Sequence, residues 1–158
     1  MKLWRIATDT PDYTADDLSG KGAEITGGRW NRRGTPLLYA STSRALACLE
    51  TFAHLNAGAA LPLNRYLVEI DIPHAAWRDR AQFSAAEFVG WDAEPAGKVS
   101  LDWGTDWARG MTTLMAEVPS VIVPEESNVL INPAHADSAG LVCDKLRKWL
   151  YDPRLRLA

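Results

Sequence analysis

The chain has 158 residues, 47% of them apolar and 23% charged, a length and balance that fit one compact domain, over 1–158, with its own core. A formal charge of -3 leaves no broad basic surface to neutralise a run of phosphates, which excludes direct nucleic-acid binding as the main task. Asp9 arrives before an apolar signal core can build up, and no uncharged stretch approaches the length of a membrane span, so the expected location is cytoplasmic, away from the membrane.

In chain order, residues 2–7 alternate as a short first strand. Residues 8–36 carry five glycines among Thr, Asp and Ser and are too long for an ordinary connection, which marks them as a functional loop. Leu37-Leu38-Tyr39-Ala40-Ser41 reads as the next strand, and Ser41-Thr42-Ser43 offers N-caps for a helix reaching about residue 56. Leu46, Leu49 and Ala53 form the expected core stripe of that helix, with Glu50 half-buried at its edge and His54 one turn further on. Residues 64–72 alternate as a strand that Pro73 stops.

From 74 to 104, Trp77, Phe83, Phe88, Trp91 and Trp103 recur without a period. That segment reads as irregular around a short helix at 84–89, its aromatics suiting a lid, a partner surface or plain core. Thr105 is placed to cap a helix over 106–116 that puts Trp107 and Met111 on one face and ends by Pro119. Strands are expected at 120–123 and 128–131, while Leu141–Leu150 tolerates both periods. The many aromatics, glycines and prolines favour a mixed fold over a helical bundle. Cys48 and Cys143 have no CxxC spacing, and His54, His74 and His135 are dispersed, so neither a metal site nor a disulfide is indicated.

Three segments gather polar residues near element ends. Arg29 lies in Gly27-Gly28-Arg29-Trp30-Asn31, Tyr39 near a strand end, and Glu50 on the following helix. A guanidinium, an aromatic hydroxyl and a carboxylate can surround one planar anionic ligand. Taken singly, each residue type is more often a solvated charge or plain packing.

The string from Gly27 to Glu50, GGRWNRRGTPLLYASTSRALACLE, resembles the opening motif of the RES-domain family, named for an Arg, a Glu and a Ser. The block from Glu117 to His135, with its Val118-Pro119-Ser120, Asn128 and Asn132-Pro133-Ala134-His135, is similar to that family's later motif, and Tyr151-Asp152-Pro153-Arg154-Leu155 to its close. The resemblance implies an α+β fold like that of diphtheria-toxin-type ADP-ribosyltransferases, with split antiparallel sheets around an NAD cleft and flanking helices. Carried over by position, Arg29 is the family's Arg, Tyr39 its tyrosine, Glu50 its Glu, and Ser120 its Ser, with Ser127 as a second candidate. Arg29 would pair with the pyrophosphate of NAD+, Glu50 with the nicotinamide ribose, and Tyr39 would stack on nicotinamide and offer its hydroxyl. Ser41, Ser120 or Ser127, and Asn128 would orient substrate.

The implied activity is a toxin's cleavage of the nicotinamide–ribose bond of NAD+, the substrate, with no metal. Water or phosphate is the favoured acceptor, a protein side chain the alternative, and a non-catalytic nucleotide-binding module the reading from another class. The implied partner is an Xre-like helix-turn-helix antitoxin, with room for a homodimer inside the complex.

Overall fold

The computed structural model describes residues 1–55 and 60–155. Seven strands are laid down in chain order: β1 (Lys2–Thr8), β2 (Leu38–Ser41), β3 (Arg65–Asp71), β4 (Ala81–Gln82), β5 (Met115–Pro119), β6 (Ser127–Ile131) and β7 (Val142–Trp149). Four helices interleave with them: α1 (Lys21–Thr26), α2 (Arg44–Ala53), α3 (His74–Arg78) and α4 (Lys98–Gly110). The strands form one sheet in the order β4-β5-β6-β2-β1-β3-β7, antiparallel throughout except where β4 meets β5.

The class is α+β, as expected, but the sheet is one mixed sheet rather than two split ones. It narrows in the middle. β1 pairs with β3 along its full length and β2 with β6 over Leu38–Ser41, yet β1 and β2 share the single register pair Trp4↔Ser41.

Side-chain alternation divides the sheet into two faces. Leu3, Leu38, Ala40, Val68, Ile70, Met115, Val129 and Ile131 fill one face, closed by partly buried Leu18, Trp77 and Leu141. The other face is covered by two separate patches. Over β1 and β3, α2 packs Ala47 and Phe52 with Ile6, Leu67 and Tyr151. Over β5 and β6, Trp30, Phe83, Trp91 and Trp107 pack with Ala116, Val118 and Leu130. A cleft remains between the two patches, beside the narrow β1–β2 junction, and residues of both patches line it.

Several expectations need correction. The loop 8–36 contains α1, a single short helix. On α2 the core-facing residues are Leu46 and Ala47, with Leu49 and Ala53 exposed. The expected stripe was displaced because Glu50 and Thr51, polar residues, sit on the inward side. The helix predicted over 106–116 runs over Lys98–Gly110 instead, and Met115 already belongs to β5. Its buried residues include Ser100, Gly104, Thr105 and Ala108, small or polar side chains that hide an amphipathic period. Met111, expected beside Trp107, is exposed in a left-handed C-terminal position.

Residues 84–89 form turns, not a helix, and α3 and β4 occupy part of the stretch read as irregular. Residues 120–123 form the turn after β5 despite Val121-Ile122-Val123, because the Ser120 hydroxyl accepts bonds from the backbone N–H groups of Ile122 (3.1 Å) and Val123 (3.0 Å). Residues 142–149 are an edge strand, which decides between the two periods. Residue 56, the expected end of α2, lies outside the described residues.

Candidate active site

The cleft is a cavity of about 820 Å³, within the range of about 300–1,000 Å³ typical of small-molecule sites. Trp4, Arg5, Arg29, Tyr39, Ser41, Glu50, His54, Glu94, Val121, Ile122 and Asn128 are among the residues on its wall.

Glu50 is the centre of a hydrogen-bond chain. Ser43 caps α2, accepting from the Leu46 N–H at 3.1 Å, and this fixes the phase that brings Glu50 to the cleft. The register Ser41↔Asn128 sets those two side chains side by side on neighbouring strands, and the Ser41 hydroxyl donates to Asn128 Oδ1 at 2.7 Å. Asn128 Nδ2 then donates to Glu50 Oε1, which also accepts from the Ser120 hydroxyl at 2.7 Å. Both bonds converge on Oε1, so Oε2 is the oxygen a ligand in the cavity can engage. Ser41, Glu50, Ser120 and Asn128 are therefore brought together.

Ser127 is not. It opens β6 one residue before Asn128, so its side chain faces the other side of the sheet, the side of Glu117 and Val129. Of the two candidate serines, the fully buried Ser120 is the one that bonds Glu50. Ser120→Ala removes a donor to Glu50 and the acceptor for two turn N–H groups, and is expected to cost about 1–3 kcal/mol. Ser127→Ala should cost less, and comparison of denaturant midpoints checks the difference. Equal midpoints would contradict this placement.

The opposite wall is the loop after α1. Trp30 is buried against Phe83 (ring centroids 4.7 Å apart), Trp103 (5.7 Å) and Trp91 (6.0 Å), so these three aromatics of the segment 74–104 act as core that anchors this loop. Asn31, completely buried, donates to the carbonyls of Ala23 and Thr35, both at 2.9 Å. The Tyr39 hydroxyl accepts from the Trp30 N–H at 3.0 Å and donates to Asn31 Oδ1 at 2.7 Å.

Two sequence expectations change here. The Tyr39 hydroxyl is already engaged on both sides, and burial raises its pKa, so it serves as a neutral strut of the loop while its ring lines the cavity. Gly28 is tied to the same strut, since a Cβ on it would stand 2.6 Å from the Tyr39 hydroxyl oxygen. Arg29, half-buried, turns its guanidinium toward the segment beyond Trp91, donating to the carbonyls of Trp91 (3.2 Å) and Ala93 (2.8 Å) and to Glu94 Oε2 (2.7 Å).

Sequence reasoning missed Arg5. It is among the residues lining the cavity, its side chain leaving β1 on the Leu3 and Ala7 face with Tyr13, Asp17 and Cys143 around it, and burial lowers its pKa while leaving a guanidinium charged at neutral pH. It makes one long bond, 3.5 Å, to the Asp17 carbonyl. An Arg inside an otherwise apolar strand was the available signal. Asn31 and Glu94 were also missed as partners of Tyr39 and Arg29. His54 closes α2 through its backbone, exposed at the cavity rim.

The arrangement offers two guanidiniums, a carboxylate held by two donors, and aromatic walls: groups suited to an anionic, planar, hydroxylated ligand. Among the described residues no three or more His, Cys, Asp or Glu side chains gather as a metal site would require, and no helix is long and apolar enough to cross a membrane. Cys48 and Cys143 are free and half-buried, and burial pushes the Cys143 thiol up to about 11.

Comparison with known proteins adds to this geometry. The model of the RES domain family matches residues 2–154. A protein of Sphingobium sp. (strain YBL2) named Prs ADP-ribosylating toxin is 60% identical over 97% of this chain and 95% of its own length. Proteins named Toxin Res are similar too, one of Yersinia enterocolitica at 32% identity over 99% of this chain and all of its own length, and one of Pseudomonas putida at 35% over 85% of this chain and 86% of its own.

Proposed function

The chain belongs to the RES-domain family, and from that premise we propose that it is a toxin that uses NAD+ as its substrate, breaking the nicotinamide–ribose bond and passing the ADP-ribosyl group to an acceptor. The observation that carries this reading is Glu50, a carboxylate fixed by Ser120 and Asn128 on one wall of a cavity that Arg5 and Arg29 also line.

In the reaction the bond between ribose C1″ and the nicotinamide nitrogen breaks, both electrons leave with neutral nicotinamide, and positive charge develops on the ribose. A carboxylate held in place beforehand stabilises that charge without reorganising, the logic by which carboxylates serve glycoside hydrolysis. Glu50 Oε2 would take a ribose hydroxyl. Ser120 and Asn128 position Glu50 and are not nucleophiles, since their own bonds run to that carboxylate. Arg29 would meet the diphosphate, and the Tyr39 ring the nicotinamide.

The acceptor is reweighed. The family resemblance favours water or phosphate, but a relative sharing 60% of residues over nearly the whole chain is named for ADP-ribosylating Prs, which supports a protein side chain for this chain as well. Its nucleophile would bond to C1″ as nicotinamide departs and release its proton to solvent. The names of the Toxin Res relatives support an antitoxin partner, for which an Xre-like helix-turn-helix protein, acting with the toxin in the cytoplasm, remains the proposal.

The test is to incubate the purified chain with adenine-labelled NAD+ and bacterial lysate, then resolve proteins and small molecules. Label on one discrete protein is the expected result. Label only in ADP-ribose or its phosphate would return the acceptor to water or phosphate, and intact NAD+ would overturn the reading.

A further inference from the structure

The two guanidiniums on the cavity wall differ in what already holds them. Arg5 makes one long bond to a backbone carbonyl, whereas both terminal nitrogens of Arg29 are engaged by the segment from Trp91 to Glu94. Trp91 is anchored independently, stacked on Trp30 at 6.0 Å with 20° between the rings, so this strap does not depend on the Glu94 ion pair for its position. Glu94 itself is the solvent-exposed end of the contact: its side chain is 79% exposed against 17% for Arg29, and it lines the cavity. An exposed carboxylate exchanges an ion pair for water at little cost, while the half-buried guanidinium it leaves must find another anion.

Resting on the reading of NAD+ as substrate, we propose that Glu94 is the anion that the substrate's diphosphate displaces from Arg29, so that Glu94 sets how tightly the cleft holds a dinucleotide. Glu94 occupies the face of Arg29 that a phosphate oxygen would take, and its charge opposes the diphosphate in the same cavity. The carbonyl bonds from Trp91 and Ala93 keep Arg29 aimed while the carboxylate swings out to water. Glu94 is thus a positioning residue that acts through Arg29, one that weakens ground-state binding and leaves the bond-breaking step to Glu50. Such an arrangement also favours substrates with two phosphates over phosphate-free nucleosides, which have no group to exchange for the carboxylate.

The experiment compares Glu94→Gln and Glu94→Asp with the unaltered chain, measuring nicotinamide release across NAD+ concentrations and NAD+ binding by calorimetry. Glu94→Gln keeps the shape and an acceptor for Arg29 but removes the charge, so KM and the dissociation constant should fall together by about fivefold, with kcat held. Glu94→Asp keeps the charge and should keep both constants near their starting values. A merely structural role would instead move kcat or the melting temperature. Constants that are unchanged or higher in Glu94→Gln, or that fall equally in Glu94→Asp, overturn the proposal while leaving NAD+ as substrate. Failure of every variant, the unaltered chain included, to bind NAD+ would sink the NAD+ reading and this inference with it.

Discussion

Glu50→Gln is expected to bind NAD+ as the unaltered chain does and to release nicotinamide about 100- to 1,000-fold more slowly, the usual cost of removing one preorganised electrostatic partner of a developing charge. The substitution is nearly isosteric. A glutamine carbonyl can still accept from Ser120 and Asn128, so the network Ser41–Asn128–Glu50–Ser120 need not collapse. What disappears is the negative charge, and with it the stabilisation of positive charge on the ribose. Binding should persist because the diphosphate and the aromatic contacts lie on other residues. Single-turnover nicotinamide release, with binding measured in parallel, checks both halves of the expectation. Undiminished release, or undiminished growth inhibition in cells, would remove Glu50 from the chemistry.

Gly104→Ala should be the most damaging glycine-to-alanine change among the described residues. A Cβ at this position on α4 would stand 2.0 Å from the Trp30 carbonyl oxygen, a backbone atom with nowhere to go. The neighbouring Thr105 hydroxyl accepts from the Arg32 N–H at 3.0 Å, so α4 is docked against the loop on both sides of Trp30–Arg32. Forcing helix and loop apart is expected to cost about 3 kcal/mol, the upper part of the usual range for overpacking. Because Arg29 sits on the displaced loop, NAD+ binding should fall with stability. Gly110→Ala on the same helix is the control. A Cβ there meets nothing within 4 Å, and helix propensity alone should make it neutral or stabilise it by up to about 1 kcal/mol. Similar denaturant midpoints for the two variants would contradict the close docking.

Strands with plain alternation were legible in the sequence. β1, β2, β3 and β6 stand near where alternation put them, because one face of each is apolar and buried. α4 was not legible, since its contact face is made of Ser100, Gly104, Thr105 and Ala108, residues chosen for closeness to the Trp30 loop rather than for apolar area. Val121-Ile122-Val123 misled in the opposite sense, its β propensity overruled by two bonds to the Ser120 hydroxyl. The motif singled out Arg29, Tyr39 and Glu50, which line one cavity in the fold, but not their partners. Asn31 and Glu94 become visible only when loop and strap fold against each other, and the choice between Ser120 and Ser127 is one of strand face, which neighbouring residues in a sequence do not declare.

Whether this cleft breaks the nicotinamide–ribose bond is read from the nicotinamide it sets free. The most direct test is to incubate the purified chain with NAD+ and bacterial lysate and to measure free nicotinamide over time, beside Glu50→Gln handled identically. Nicotinamide that accumulates with the unaltered chain and falls to the lysate background with Glu50→Gln is the predicted result. Equal release by both would place the chemistry elsewhere, and release by neither, with both folded and binding NAD+, would make the chain a nucleotide-binding module without turnover.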